Sequence, residues 1–248
     1  TAKEVAQAYQ EDWAQLQGEQ MNFPGIIYGD PHCHSITAAS LKAGVILTGH
    51  YASLELDKGL PAFIASGITA CHEATTAEAV MRRAELGCYA QQRYGTAWLD
   101  MPQTIRAITE NPGLDTRFFT MVTDDVTPAT IAEHGHLDRV VRDAIAQGGS
   151  PLLAIQMVTI NAAQLLEKVR WIGTISPGRA ADILIVSDLV KVTIDQVFAD
   201  GVLVAENGKM CVEFSKHSYP EWAMNSVHVK PTTVKDFQIP AEKPEKVR

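Results

Sequence analysis

The stretch GVILTGHYASLELDKGLPAFIASGITACHE, residues 44–73, decides the fold class of this chain. It opens with an apolar run that ends in His50 and closes with a second run that ends in His72 and Glu73. Between them, LPAFIASG (60–67) has the length and the terminal glycine of a short helix. A strand, a helix and a strand in this order predict a βα unit of a parallel sheet.

The same alternation continues towards the C-terminus. It predicts two further strands, over 88–95 and 116–125, and four helices, over 75–87, 101–113, 136–149 and 151–166. The first of these helices has Thr75 as its N-cap, Glu78 three residues later, and Gly87 as its stop. The sequence therefore predicts an α/β protein built of βα units around a parallel sheet.

After residue 170 the pattern changes. GTISPGRAADILIVSD (173–188) has a glycine–proline turn followed by β-rich residues, and 194–210 contains the hairpin signal Asp200-Gly201. The residues beyond are polar and include several prolines. We therefore expect three parts: a βα part over 1–170, a small β-sandwich-type unit over 171–212, and an extended tail or linker over 213–248.

Composition narrows the class of protein. Of 248 residues, 46% are apolar and 20% charged, which is typical of a globular protein with a full core. The net charge of −8, without a basic cluster, argues against nucleic acid as a partner. No apolar run approaches the ~18 residues of a membrane span, so we expect neither membrane insertion nor secretion. Four cysteines without C-x-x-C spacing favour reduced thiols and a cytoplasmic location.

Three polar residues are candidate metal ligands, because each lies at the end of a separate predicted strand. They are His50, His72 and Asp124, and the carboxyl ends of neighbouring parallel strands converge on one rim. Two imidazoles and a carboxylate suit Zn, Mn or Fe without distinguishing among them. Asp124 would also be placed to accept a proton from a water whose pKa a metal lowers towards ~7.

Six stretches of the chain carry a family resemblance: GEQMNFPGIIYGD, LTGH, AFIASGITACHEATTAEAVMRRAELG, MVTDDVTP, GHLDRVVRDAIAQG and GTISPGRAADILIVSDL. They resemble the adenine deaminases, the bacterial and archaeal type of the amidohydrolase superfamily, from about Gly18 to Met210. The resemblance implies a (β/α)8 barrel of the TIM type. In that register, residues 1–170 are a partial, catalytic barrel that contains strands 4 to 8.

The resemblance also implies roles for particular residues. Divalent metal, in two ions of Mn, Fe or Zn, would be bound by Glu19, His50, His72 and Asp124, with Glu19 bridging the ions. Asp124 would in addition shuttle the proton, and Glu73 would act beside it in catalysis. Arg93 and His136 match positions near the substrate, although a structural role for His136 is an equal alternative.

The His-x-His pair of GDPHCHS (29–35) looks at first like the metal-binding pair of a first barrel strand. In the family register, however, His34 lies only 16 residues before the strand-5 ligand His50. A strand-1 pair would precede it by four βα units, on the order of 100 residues. We therefore expect His32 and His34 at the start of a helix, with Pro31 in its first turn.

The same register implies that strands 1 to 3 and the family's C-terminal domain are not in this sequence. Five strands of an eight-stranded barrel would expose an apolar edge. We therefore expect the missing strands to come from another segment or chain, and we expect a homo-oligomer.

The resemblance implies a metal-dependent hydrolytic deaminase that converts adenine to hypoxanthine and ammonia. Two alternatives stay open: a related amidohydrolase acting on a cyclic amide or an N-acyl bond, and a non-catalytic barrel fragment with an assembly role. Departures from the family pattern at Tyr51, Ala52, Ser53 and Tyr94 fall in loops of the active-site rim, where substrate contacts are made.

Two further expectations concern side chains without a predicted chemical role. Arg82 and Arg83 are predicted to form the solvated face of their helix. Cys71 is predicted to point to the side of its strand opposite His72, and therefore not to bind a metal.

Overall fold

The computed structural model describes residues 1–239 and divides into two units. The first, Thr1–Cys211, contains a parallel and an antiparallel sheet. The second begins at Val212, and its described residues form two short helices, Glu221–Met224 and a 3-10 turn over Val234–Phe237. The three-part division at residues 170 and 212 remains a prediction. Among the described residues, no helix is long and apolar enough to cross a membrane.

The parallel sheet has five strands that lie side by side in chain order. They are β1 (Gln17–Gln20), β2 (Leu47–Gly49), β3 (Ala70–Cys71), β4 (Tyr89–Arg93) and β5 (Phe119–Val122). Sequential parallel strands separated by helices are the unit of a β/α barrel, and the barrel is not closed within the described residues. The predicted α/β fold is therefore confirmed.

Eleven helices accompany this sheet in the first unit, as far as the described residues show. They are α1 (Ala2–Gln10), α2 (Phe23–Ile27), α3 (Pro31–Ala43), α4 (Gly59–Ala65), α5 (Ala77–Glu85), α6 (Met101–Thr104), α7 (Arg106–Thr109), α8 (Pro128–His134), α9 (Leu137–Ala146), α10 (Pro151–Val158) and α11 (Ile160–Leu165). The cap of α5 is Thr76, which accepts from the backbone N–H of Ala79, and not Thr75 as predicted.

Two helices predicted as continuous are broken. The 101–113 segment forms α6 and α7, which meet at Ile105. The 151–166 segment forms α10 and α11, which are separated by Thr159 in a non-helical conformation. The Thr159 hydroxyl donates to the carbonyl of Ile155 at 2.6 Å, and such a bond to the preceding turn bends helices.

Arg83 is wholly buried, so its predicted place on a solvated face is wrong. It lies four residues after Ala79 and three after Val80, both buried, and so shares the core-facing side of α5. Its Nη1 donates to the Ala79 carbonyl at 2.9 Å and its Nη2 to the Tyr51 carbonyl at 3.0 Å. Arg82 is the partly exposed arginine of the pair.

The antiparallel sheet has four strands in chain order: β6 (Ile183–Asp188), β7 (Thr193–Ala199), β8 (Val202–Glu206) and β9 (Lys209–Met210). Asp200 and Gly201 have φ of 50° and 78° and form the predicted turn between β7 and β8. A second such turn, at Asn207 and Gly208, joins β8 to β9 and was not predicted.

Candidate metal centre

The ends of the parallel strands place the polar residues side by side. Gly49 of β2 pairs with Cys71 of β3, so His50 and His72, which directly follow them, emerge at the same rim. Their ring centroids are 5.6 Å apart. Asp124 lies two residues beyond the end of β5 at the same edge of the sheet. These donors meet because the carboxyl ends of parallel strands lie at one rim.

Glu19 reaches the site from within β1 rather than from the loop after it. It pairs with Thr48 at a shift in register between Gln17 and Glu19, while its neighbour Gln20 is buried. A register irregularity of this kind re-aims a side chain. The Oε1 of Glu19 lies 3.1 Å from Nε2 of His72, and its Oε2 lies 3.7 Å from Nδ1 of His50.

His50 has a ring nitrogen that the described residues leave without a hydrogen bond. Its Nδ1 is buried and lies 3.2 Å from Oε1 of Glu73, but the contact lacks hydrogen-bond geometry. A buried ring nitrogen without a partner is uncommon in folded proteins. Its position beside carboxylates from two strands is that of a metal-binding nitrogen.

His72 and Glu73 are adjacent in sequence, and both contribute to the site. Nε2 of His72 lies 3.0 Å from Oε1 of Glu73. Burial disfavours the charged imidazole, but Glu73, Glu19 and Asp124 outweigh it and raise the pKa of His72. Burial also acts to raise the pKa of Glu73, but the hydrogen bond from His72 and the charge of Arg93 lower it overall.

Arg93, the last residue of β4, joins the carboxylates on either side of it. Its Nη1 donates to Glu73 and, at 3.2 Å, to Oδ2 of Asp124, while its Nε donates to Asp100 at 2.7 Å. Burial alone would lower the pKa of Arg93, but these three carboxylates raise it. Nη1 and Nε of the guanidinium are therefore occupied by protein carboxylates, and the predicted contact of Arg93 with a substrate remains a prediction.

Asp124 has a left-handed backbone conformation, with φ of 61°. Aspartate tolerates this conformation better than most residues, and a non-glycine residue that adopts it is often at a functional site. The turn carries the carboxylate back over the end of β5 towards His72 and Glu73.

Two groups of donor atoms have the spacing of metal ligands, with all atoms within 4.8 Å of one another. One is Glu19, His50 and His72, and the other is His72, Glu73 and Asp124. With neutral imidazoles, three carboxylates and one arginine around the cavity give −3 + 1 = −2. The residues present therefore fit divalent metal by donor type, by charge and by the unpartnered nitrogen of His50.

These residues share one cavity of about 300 Å³, lined by Glu19, His50, Ala52, His72, Glu73, Arg93, Trp98 and Asp124. Every residue predicted for catalysis or metal binding lines it, as does Arg93. His136 does not: it is exposed at the start of α9, where its backbone N–H donates to Asp138. Its predicted contact with substrate therefore remains a prediction.

Two of the predicted rim residues point away from this cavity. Tyr51 is buried beside Phe63, and its hydroxyl donates to the carbonyl of Glu55. Tyr94 packs against Arg139, whose guanidinium lies 4.4 Å from the ring centre. Of the residues that depart from the family pattern, only Ala52 lines the cavity.

The sequence did not single out Trp98 or Asp100, both in the loop that follows β4. Trp98 lines the cavity and Asp100 binds Arg93. Their position in the loop after a parallel strand was the available signal, because such loops build the rim.

His32 and His34 lie in the first turn of α3, as predicted. Asp30 caps this helix by accepting from the N–H of Cys33, and Pro31 begins it. Nε2 of His34 lies 2.9 Å from the carbonyl oxygen of Ile26, and neither histidine lines the cavity.

Comparison with known proteins agrees with this fold. Residues 102–204 match the model of the Amidohydrolase family. A β-aspartyl dipeptidase from Fervidobacterium islandicum has a similar structure, with a TM-score of 0.63 and 15% identity over 86% of this chain and 62% of that one. The crystal structure of an amidohydrolase has a TM-score of 0.57 and 18% identity to this chain, and the match covers 84% of this chain and 59% of that one. At these identities the structures show the fold alone, that of amidohydrolase barrels.

At higher identity, the chain is similar to adenine deaminases. It is 46% identical over 231 residues to that of Clostridium botulinum strain 657, covering 93% of this chain and 38% of the relative. It is 44% identical to the adenine deaminase of Moorella thermoacetica, over 96% of this chain and 40% of the relative. The resemblance recognised in the sequence is therefore confirmed. The chain spans about two fifths of the length of these relatives.

Proposed function

We propose that this chain supplies the catalytic residues of a hydrolytic adenine deaminase, which converts adenine and water to hypoxanthine and ammonia. The observation that carries the proposal is the convergence of Glu19, His50, His72, Glu73 and Asp124 on one cavity. The similarity to adenine deaminases over 93% of the chain supports the choice of reaction.

The proposed cofactor is divalent metal, in two ions of Mn, Fe or Zn. Glu19, His50 and His72 would hold one ion, while His72, Glu73 and Asp124 have the spacing to hold or adjoin another. A bound ion would supply Lewis acidity, which lowers the pKa of water towards ~7.

Asp124 is placed to move the proton. Its Oδ2 accepts from Arg93, and its Oδ1 makes no hydrogen bond to the described residues, so one carboxylate oxygen is available as a base. In the proposed reaction, water adds to C6 of adenine and Asp124 accepts the proton. The C6–N bond then breaks as the proton passes to the leaving amino group, which departs as ammonia.

Arg93 and Glu73 position the groups that take part in this step. The guanidinium contacts both Glu73 and Asp124, and its charge helps to lower the pKa of Glu73. Oε1 of Glu73 lies 3.0 Å from Nε2 of His72 and so helps to orient that imidazole, while its 3.2 Å contact with Nδ1 of His50 lacks hydrogen-bond geometry. The substrate is a small molecule in this proposal, since the cavity is about 300 Å³.

Further strands are also part of the proposal. Within the described residues, β1 and β5 are the two edges of the parallel sheet. We propose that strands of another segment or chain pair with these edges to complete the barrel. Such pairing would satisfy the backbone N–H and C=O groups that an open edge of a parallel sheet leaves without partners. Homo-oligomerisation and a cytoplasmic location remain predictions.

The test is ammonia release from adenine by the full natural protein loaded with Mn, Fe or Zn. Asp124→Asn should lower kcat at least 100-fold, because it removes the base. The matched control is Asp115→Asn, an exposed aspartate paired with Arg117, which should leave kcat within twofold. If Asp124→Asn and Asp115→Asn released ammonia from adenine at the same rate, the proposal would be wrong. Turnover of a cyclic amide but not of adenine would favour the related amidohydrolase activity.

A further inference from the structure

Among the described residues that line the metal cavity, Trp98 is the only one with a large apolar side chain. The remaining lining residues are titratable, apart from Ala52. The indole is 53% exposed although it lies beside the buried Arg93. A flat carbon surface at the mouth of a charged cavity has no role in holding metal, so it requires another explanation.

The loop that carries Trp98 is held by Asp125. The carboxylate of Asp125 accepts from the backbone N–H groups of Ala97, at 2.9 Å, and Trp98, at 3.3 Å. Its carbonyl accepts from the N–H of Thr96 at 2.6 Å, and the carbonyl of Trp98 accepts from the N–H of Gly95. Trp98 is therefore fixed through both its backbone N–H and its carbonyl.

Gly95 allows this close approach of the loop to the end of β5. A Cβ at this position would lie 2.5 Å from the Asp125 carbonyl oxygen and 2.6 Å from that of Thr123. Only glycine fits between these backbone atoms. The position of Trp98 is therefore preorganised, as expected for a surface that receives a ligand.

Trp98 is also connected to the catalytic carboxylates. The guanidinium carbon of Arg93 lies 4.8 Å from the centre of the indole, a cation–π distance. Arg93 in turn binds Glu73 and Asp124. The indole surface that Arg93 leaves uncovered is open to solvent at the mouth of the same cavity.

We propose that Trp98 is a specificity-determining residue: its indole stacks on the flat ring of the substrate and selects planar heterocycles over saturated rings and N-acyl compounds. The inference rests on the proposed function for the identity of the substrate, but the selection for planarity does not require that the substrate be adenine. Offset stacking on an indole favours an aromatic ring, whereas a puckered ring makes fewer contacts.

The kinetic test uses Trp98→Phe and Trp98→Leu in the metal-loaded full natural protein, with Trp171→Phe as the control. Trp171 is exposed and does not line the cavity. For adenine we expect Trp98→Leu to raise KM by about 10- to 100-fold, from the usual effect of losing one base–aromatic stack. Trp98→Phe should recover most of that loss, and the metal content should not change. An unchanged KM in Trp98→Leu would overturn the proposal.

A binding measurement keeps the proposal testable if the leucine variant does not fold or if adenine is not turned over. Purine, which has no group to lose at C6, should quench tryptophan fluorescence in the unaltered protein and in Trp171→Phe. Quenching should be lost in Trp98→Phe, and a saturated cyclic amide should bind at least tenfold more weakly than purine. Quenching that persists in Trp98→Phe, or equal binding of the saturated ring, would overturn the role of Trp98. Failure of adenine deamination with retained quenching would overturn the proposed reaction alone.

Discussion

Arg83 donates a hydrogen bond of 3.0 Å to the carbonyl of Tyr51, the residue that directly follows His50. The guanidinium is wholly buried, and no carboxylate among the described residues lies within 4.0 Å of it. Its partners are therefore backbone carbonyls, and it links the core-facing side of α5 to the loop that begins with the candidate metal ligand His50.

We expect Arg83→Met to lower the free energy of unfolding by about 2 kcal/mol or more, because it leaves the buried carbonyl of Tyr51 unsatisfied. The loosened loop should also weaken metal binding about tenfold, as is common when the support of a ligand is removed. Denaturant unfolding and metal titration of the full natural protein measure the two effects.

Arg82→Met is the matched control for this prediction. Arg82 lies on the same helix but is partly exposed and pairs with Glu85 at the surface. Such pairs contribute about 0–1 kcal/mol, so this variant should remain near the unaltered protein in stability and metal affinity. Equal losses in both variants would show that Arg83 has no special part in placing His50.

Asp125 is predicted to matter for substrate binding although it does not line the cavity. Asp125→Ala removes the two carboxylate bonds that hold the backbone at Ala97 and Trp98, so KM should rise several-fold with a smaller change in kcat. Steady-state kinetics measure this split. Asp115→Ala removes a similar bond, to the N–H of Arg117, from an exposed turn and should change neither constant. A fall in kcat alone for Asp125→Ala would contradict the assigned role.

His50 and His72 could be predicted from sequence because each one directly follows the end of a short strand pattern, whereas Glu19 was implied by the family resemblance alone. The runs before His50 and His72 are short and bounded, so the ends of their strands are visible without a structure. The hairpin at Asp200-Gly201 was visible for a different reason: the turn requires positive φ, which selects these residues.

Arg83 and Trp98 could not be predicted in this way because their partners are distant in sequence. The charge of Arg83 predicts exposure, but its guanidinium donates to two carbonyls in the interior, and one of them, that of Tyr51, lies 32 residues earlier. Trp98 is set in place by Asp125, which lies beyond the next strand. The break at Thr159 depends on a side-chain bond that competes with the helix, and the apolar pattern does not reveal it.

The four cysteines should differ sharply in reactivity. Cys33, Cys71 and Cys88 are buried, whereas Cys211 is exposed. Burial raises the pKa of the Cys88 thiol above its usual range, and also that of Cys33, so little reactive thiolate forms at either. At pH 8 an alkylating reagent should label one of the four cysteines of the folded protein, Cys211. Peptide mass spectrometry locates the label, and Cys211→Ser should abolish it. Rapid labelling of Cys88 before unfolding would contradict the buried core around β4.

Metal content can show whether the metal is bound by His50 and His72 or by the His32–His34 pair of α3. His50 has a buried Nδ1 beside Glu19 and Glu73, whereas His32 is exposed at the start of α3. His50→Ala should reduce the bound divalent metal by at least one equivalent, while His32→Ala should bind as much as the unaltered protein. Elemental analysis after dialysis measures both.

Removal of the metal should also lower thermal stability, because the three carboxylates of the cavity then repel one another with only Arg93 between them. A chelator should therefore lower Tm in the unaltered protein and in His32→Ala, with a smaller decrease in His50→Ala, which has less metal to lose. If His32→Ala lost the metal and His50→Ala kept it, the His-x-His pair of α3 would be the binding site. The convergence of strand ends on one cavity would then have a purpose other than metal binding.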